Sequence, residues 1–356
     1  MKIPTPLFFK PDLEDAALRW DAFYAGEMID RPLISVTAPR NGSIIPPAST
    51  YYERVFGDME DLIERGLKVG ETTYWGGEAI PHYWLTFGPD EIAVFSGGEF
   101  GWKGDSGDTN WSKPFVNDWA EAFPLSLHAD NPLWQRMLDF YQKAASRMGG
   151  KMLLTAPDLH TNMDLLAAIR GPQRLCMDLI EEPEMIDRAM QDARAIFRKL
   201  WSSVVQAGQM DEFGYYQNFY SMDGAAIMQC DFSAMISPSM FRRWVLPALE
   251  EEAKIVKHAI YHWDGASALV HFDAVVHSPY LHTLSFVPSD NQGTHWDYRF
   301  LLKRIQEAGK AVQVWGTPEE MKRLHPELKP EKTFDQVTAK SQSEAEELLE
   351  WFVKNT

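Results

Sequence analysis

Along the last hundred residues, short apolar runs alternate with segments of helical period, and little chain separates one from the next. Residues 259–262 read as the end of a strand, 267–277 as a helix and Leu281–Val287 as the following strand, since each run stops at a polar or turn-forming break. Residues 297–308 then read as a helix closed by Gly309, Ala311–Gly316 as a strand and Pro318–Leu324 as a helix. A strand at 334–338 and a terminal helix at 343–352 complete the series. Four successive strand–helix units imply parallel strands, because the return helix carries the chain back to the same sheet edge. Capping chemistry fits these limits. Thr317 precedes Pro318 with Glu320 three residues on, and Ser341 with Glu344 repeats the spacing, the pattern of a capping box.

Upstream, residues 151–156 look like a strand leading into Pro157-Asp158-Leu159-His160 and a helix that ends at Gly171, and Pro183–Ala207 is a long amphipathic helix stopped by Gly208. Ser237-Pro238 opens another helix with Phe241, Val245 and Leu249 on one face, which Pro247 should kink. Near the start, Asp12 is placed to cap a helix through Leu13, Ala16, Trp20 and Phe23, followed by a strand at 33–37. Counting the short run at 92–95, the pattern offers eight strands and predicts an α/β chain forming one (β/α)8 TIM barrel over residues 1–356. An open doubly wound sheet is the competing architecture. Residues 74–115 break the pattern: rich in glycine and aromatics, including Trp75, Trp84, Trp102 and Trp111, they read as an active-site loop insert or as a loop packed on its own aromatics.

Composition narrows the function. The chain has 356 residues and a formal charge of −17, from 34 Lys and Arg against 51 Asp and Glu, so nucleic acid and anionic membranes are unsuitable partners. Charge excludes such surfaces but not an anionic ligand in a local pocket. Cys176 and Cys230 are the two cysteines, too few for a disulfide framework or a thiolate-built zinc site. With no signal-peptide run and no membrane-length apolar stretch, a cytoplasmic protein is expected, and an exposed barrel flank could support a homodimer.

In a parallel barrel, catalytic groups sit at the C-terminal ends of the strands. That rule selects Asp158 and His160, with Asp164 and Arg170 behind them; on a helix, those last two can equally pair with neighbours. It selects His262 and Asp264, in a stretch where six of the ten histidines fall between positions 258 and 295. Imidazole beside carboxylate can move protons or bind a metal. His271, Asp273, His277 and His282 read instead as loop-orienting or surface residues. The loop at 288–296 and Asp231 are further candidates, though Asp231 can also serve as a helix cap.

Several segments together resemble the uroporphyrinogen decarboxylase superfamily, which includes the methylcobalamin:coenzyme M methyltransferases and is related to cobalamin-independent methionine synthase. They are Trp20-Asp21-Ala22-Phe23-Tyr24-Ala25-Gly26-Glu27 with Asp30-Arg31-Pro32, Ile236-Ser237-Pro238-Ser239-Met240-Phe241 through Leu246-Pro247, the segment from His262 to Gly265, and Ala308-Gly309-Lys310. The resemblance implies a (β/α)8 barrel with a deep cleft at the strand ends. In the methyltransferase branch a histidine and two cysteines bind zinc; His262 matches that histidine, but Asp264 stands where cysteine would be and no cysteine follows Cys230. A harder site from His262, Asp264 and Glu78 is the zinc-binding alternative. In the decarboxylase branch arginines hold substrate carboxylates, and Arg40 is the one candidate near the first strand.

Three readings follow. The first is a methyltransferase-like enzyme moving a one-carbon group to or from a small substrate or a partner corrinoid protein, with His262 and Asp264 as metal ligands or as acid and base. The second is a metal-free decarboxylase for a carboxylated, tetrapyrrole-like substrate, using Asp158, Arg170 and Arg40 for binding and His160 or His262 as proton donor. The third is a carbohydrate-binding or noncatalytic barrel, motivated by thirteen tryptophans, with Trp263 and Trp296 flanking the candidate site and Trp75 in the insert.

Overall fold

The first helix, Leu13–Tyr24, buries Leu13, Ala16, Ala17, Trp20 and Phe23, the i, i+3, i+4, i+7 stripe of an amphipathic helix. Asp12 makes no side-chain bond to the helix end; its carboxylate pairs with Lys10 at 3.0 Å. These details come from a computed structural model that describes residues 4–103, 109–288 and 292–356. Among the described residues no helix is long and apolar enough to cross a membrane.

Ten strands concern the site: β1 Leu33–Pro39, β2 Thr73–Gly77, β3 His82–Tyr83, β4 Leu153–Leu154, β5 Tyr215–Gln217, β6 Ala225–Gln229, β7 His258–Asp264, β8 Leu281–Val287, β9 Ala311–Gly316 and β10 Thr333–Thr338. Seven form one sheet in the order β2-β1-β10-β9-β8-β7-β6. Its pairs are parallel except β2 against β1. β3 and β4 pair in parallel separately, and the backbone N–H of Ala156, just past β4, donates to Tyr216 of β5 at 3.1 Å. Helices connect the parallel strands, as such pairing demands.

Strand alternation divides the interior in two. One face of the sheet packs under the helices, with Ile34, Val36, Val312 and Val314 in a large core. The other face contributes Leu33, Ala225, Ile260, Ala311 and Phe334 to a smaller cluster with Ile80, Leu153 and Phe219, covered by Trp20 of the first helix. These residues lie toward the N-terminal ends of their strands. Further along the same face the side chains turn polar: Gln229, His262, Ser285, Gln313 and Gln336.

Local chemistry explains most boundaries. Thr317 and Glu320 form a complete capping box, whereas Ser341 accepts from Glu344 N and the Glu344 carboxylate accepts from Lys340 N instead of from the cap itself. Before Pro247, residues Phe241–Val245 take π-helical form, which accommodates the missing N–H and the bulk of the ring without a sharp break. Two expectations need correcting. The run at 92–95 is not a strand; Glu91–Phe95 is one buried helical turn, since a short continuous apolar run carries no period that separates the two. Nor is 74–115 a single loop. It contains most of β2, all of β3, that turn, and a hairpin of Glu99–Trp102 with Asn110–Lys113.

Candidate active site

Past β4 the chain runs through Pro157-Asp158-Leu159-His160 at the carboxyl ends of the strands. Two buried amides fix it there: Gln217 Nε2 donates to Pro157 O at 3.0 Å, and Asn162 Nδ2 donates to Gln229 O at 3.0 Å. Asn162 holds a left-handed backbone, φ +46°, a conformation a non-glycine residue keeps only when its surroundings enforce it. Buried Glu252 contributes to that enforcement, accepting from Thr161 Oγ1 at 2.8 Å, with Asn162 Nδ2 at 3.5 Å from its other oxygen. Burial pushes the Glu252 carboxyl up to about 8, so at neutral pH it is mostly protonated.

His160 thereby faces a cleft of about 400 Å³ lined by Asp90, Trp111, Ser112, Asp164, Asp231, Phe232 and Met235 among others. Its Nδ1 lies 3.8 Å from Asp90 Oδ1 and its Nε2 3.9 Å from Asp231 Oδ2. Both distances are too long for direct hydrogen bonds but close enough for strong charge coupling. Burial lowers the imidazole's proton affinity, and the carboxylates of Asp158, Asp164, Asp231 and Asp90 together outweigh it, leaving the pKa above the ordinary value. Asp90 is itself raised by burial. Asp164, buried and pushed up to about 6 by desolvation, accepts the backbone N–H groups of Asp231 and Phe232 at 2.9 and 2.8 Å and so sets where Asp231 begins its turn.

A second cleft, about 500 Å³, opens over β6 to β10 and is lined by Asn218, Ile227, His262, Ser285, Val287, Gln313, Trp315, Gly316, Gln336 and Thr338. A polar bridge joins the two: Gln229 Nε2 donates to Asp158 Oδ1 at 2.9 Å, and Gln229 is the register partner of His262. Among the described residues no Lys or Arg lines either cleft. Other hollows lie elsewhere, one at Phe8, Phe9 and Lys151 near the N-terminal side of β4 and one on the flank at Val116 and His128.

Of the sequence candidates, the structure brings Asp158, His160, Asp231 and His262 to the strand ends. It places the others differently. Asp264 ends β7 exposed and outside the cleft linings. Glu78 is bound bidentately by Arg31 at 2.6 and 2.8 Å and accepts Ile34 N at the opposite end of β1. Arg40 donates to Thr73 O, and Arg170 grips Asp178 at 2.6 and 2.9 Å; neither reaches a cleft. Trp75 bonds Gly70 O and borders a separate small hollow. Trp263 is fully buried on the helix side of β7, and Trp296 is covered by the guanidinium groups of Arg299 and Arg323. His282, expected at the surface, contacts Tyr24 O and is driven down to about 4 by burial. In the loop at 288–296, residues 289–291 lie outside the described residues.

Among the described residues the three zinc candidates do not come together. His262 has no acidic or thiol neighbour in its cleft lining, Glu78 is committed to Arg31, and among the described residues no group of three or more His, Cys, Asp or Glu could hold a metal ion. The reading from sequence missed Asp90, Glu252 and the Ser285–Gln313–Gln336 set. The last carried a legible signal, a polar residue on the inner face of an otherwise apolar strand.

Comparison with known proteins bears on the fold. No family model matches the sequence, and no curated protein matches it. Among solved structures, a methyltransferase from Methanosarcina mazei superposes with a TM-score of 0.61 at 10% identity, covering 96% of this chain and 98% of that one. This chain shares a methyltransferase's fold. At that identity the likeness concerns the course of the backbone from end to end, and the site has to be argued from its own residues.

Proposed function

We propose that the chain is a methyltransferase-like enzyme built as a single (β/α)8 barrel, moving a one-carbon group from a small methylated amine held beside His160 to an acceptor at the barrel mouth. The acceptor is a small molecule or the corrinoid of a partner protein. The observation that carries this is the cleft at His160: carboxylates of Asp90, Asp164 and Asp231 with the rings of Trp111 and Phe232 and, among the described residues, no Lys or Arg. Carboxylates neutralise an ammonium charge, and aromatic faces accept its methyl groups. When the methyl carbon leaves nitrogen for the acceptor, the bonding pair stays on the amine, which becomes neutral; His160, whose proton affinity the surrounding aspartates raise, is placed to donate the proton that amine then takes.

The closed barrel is supported by the cluster beneath Trp20, to which β1, β4, β6, β7, β9 and β10 each send a residue, together with the full-length superposition. The same cleft argues against the decarboxylase reading, because Arg40 and Arg170, its carboxylate-binding groups, are occupied elsewhere. To test the proposal, the protein is incubated with ¹³C-methyl amines and acceptor thiols or chemically reduced cob(I)alamin, and the label is followed by NMR. Label should move to the acceptor, and His160→Ala should slow this by about 10²-fold or more, the usual worth of a positioned acid. Transfer unaffected by His160→Ala would contradict the assignment.

A further inference from the structure

The hollow around His262 differs chemically from its neighbour. Among the described residues its lining holds no Asp, Glu, Lys or Arg, on a chain carrying −17. What it offers instead is a directed chain of hydrogen bonds: Ser285 Oγ donates to Gln313 Oε1 at 2.7 Å, and Gln313 Nε2 donates to Gln336 Oε1 at 2.8 Å. Each link spends one partner's acceptor, so the chain ends on Gln336 with its amide N–H groups still to donate, and Gln336 lines the hollow together with Asn218. On the same face of β9 as Gln313, two residues on, Trp315 is about one-third exposed. His295 meets that indole edge-on at 4.2 Å and contacts the Trp315 carbonyl, fixing the wall. Ile227 and Val287 supply apolar sides.

We propose that this hollow is a metal-free subsite for an uncharged planar ligand bearing ring carbonyls, stacked on Trp315 and held through its oxygens by Gln336 and Asn218. Amide donors without a formal charge reward carbonyl oxygens, while a cation would meet no carboxylate among the described lining residues and an anion no Lys or Arg to repay its larger desolvation cost. At about 500 Å³, the hollow suits a one- or two-ring molecule. His262, on β7 beside Ser285 of β8, lines the same hollow and then contacts the ligand's edge. The inference rests on the methyl-transfer reading only in making this ligand the acceptor; the subsite itself stands or falls on binding.

The test uses the full chain, with tryptophan fluorescence and calorimetry, and uracil and lumazine as neutral probes against orotate as an anion and 1-methylnicotinamide as a cation. Saturable binding of a neutral probe is expected. It should weaken by about 10-fold or more in Trp315→Ala, the worth of one stacked ring, and comparably in Gln336→Leu, with Thr338→Val as a control for lining changes that keep the amide chain. Melting curves establish that each variant folds. Three outcomes overturn the proposal: no binding by either neutral probe at millimolar concentration, binding indifferent to both Trp315→Ala and Gln336→Leu, or tighter binding of a charged probe. A fourth also does so: one equivalent of zinc alone that is retained by the protein and lost in His262→Ala. Because no turnover is read, failure here leaves methyl transfer itself to be judged by the labelling experiment.

Discussion

Burial and charge pull His160 in opposite directions, and four surrounding aspartates decide the outcome in favour of the imidazolium. NMR titration should therefore find its pKa above 6.5, and Asp231→Asn should lower it; an unmoved value would show that Asp231 does not couple to the ring. As the folded pKa is raised, the ring's contribution to stability is present at low pH and fades as pH rises through that value. Glu252 behaves differently because its ionised form is the disfavoured one. With a folded value near 8 against an ordinary 4.5, its contribution is most favourable below the usual carboxyl range and is lost progressively as pH rises toward 8. Glu252→Gln keeps an acceptor for Thr161 without the ionisation. Melting temperatures measured from pH 5 to 9 should fall less steeply for that variant than for the wild type, and parallel curves would contradict the account. Little of this was legible beforehand. His160, Asp158, Asp231 and His262 could be found because strand-end position is visible in a hydrophobic pattern. Asp90 and Glu252 could not, because they reach the site from elements whose docking only tertiary packing determines.

At the scale of elements, hydrogen-bonding side chains mark helix starts more reliably than charge does. Thr317 was recognisable as a cap and forms the full reciprocal box; Asp12 was read the same way but is drawn off by the buried ammonium of Lys10, a partner two residues upstream. Thr317→Ala should cost about 1 kcal/mol in chemical denaturation, and a loss below a few tenths would mean the box contributes nothing to the folded chain. Strand limits in the C-terminal half, Leu281–Val287 and Ala311–Gly316 among them, were legible because both flanks carry turn residues. The N-terminal half was less so. There β3 and β4 are two residues each, too short for alternation to register, and the aromatic segment that looked like one loop divides between sheet and site.

For the molecule as a whole, the inner cluster and the polar mouth are two ends of one strand face. Phe334 anchors the lower end, fully buried with ring centroids 4.9 Å from Trp20 and 5.2 Å from Phe219. Phe334→Ala should cost about 3–5 kcal/mol by urea unfolding, whereas a loss under about 1 kcal/mol would imply that the strands do not converge there. Above that plug, an acidic aromatic cleft and an uncharged amide cleft lie side by side, bridged by Asp158 and Gln229, an arrangement suited to bringing a donor and an acceptor together. The most direct measurement of this reading follows the fate of dimethylamine labelled with ¹³C at its methyl carbons, offered with a thiol or cob(I)alamin acceptor. The account predicts that label appears on the acceptor as monomethylamine accumulates; dimethylamine recovered with both methyl groups intact would contradict it.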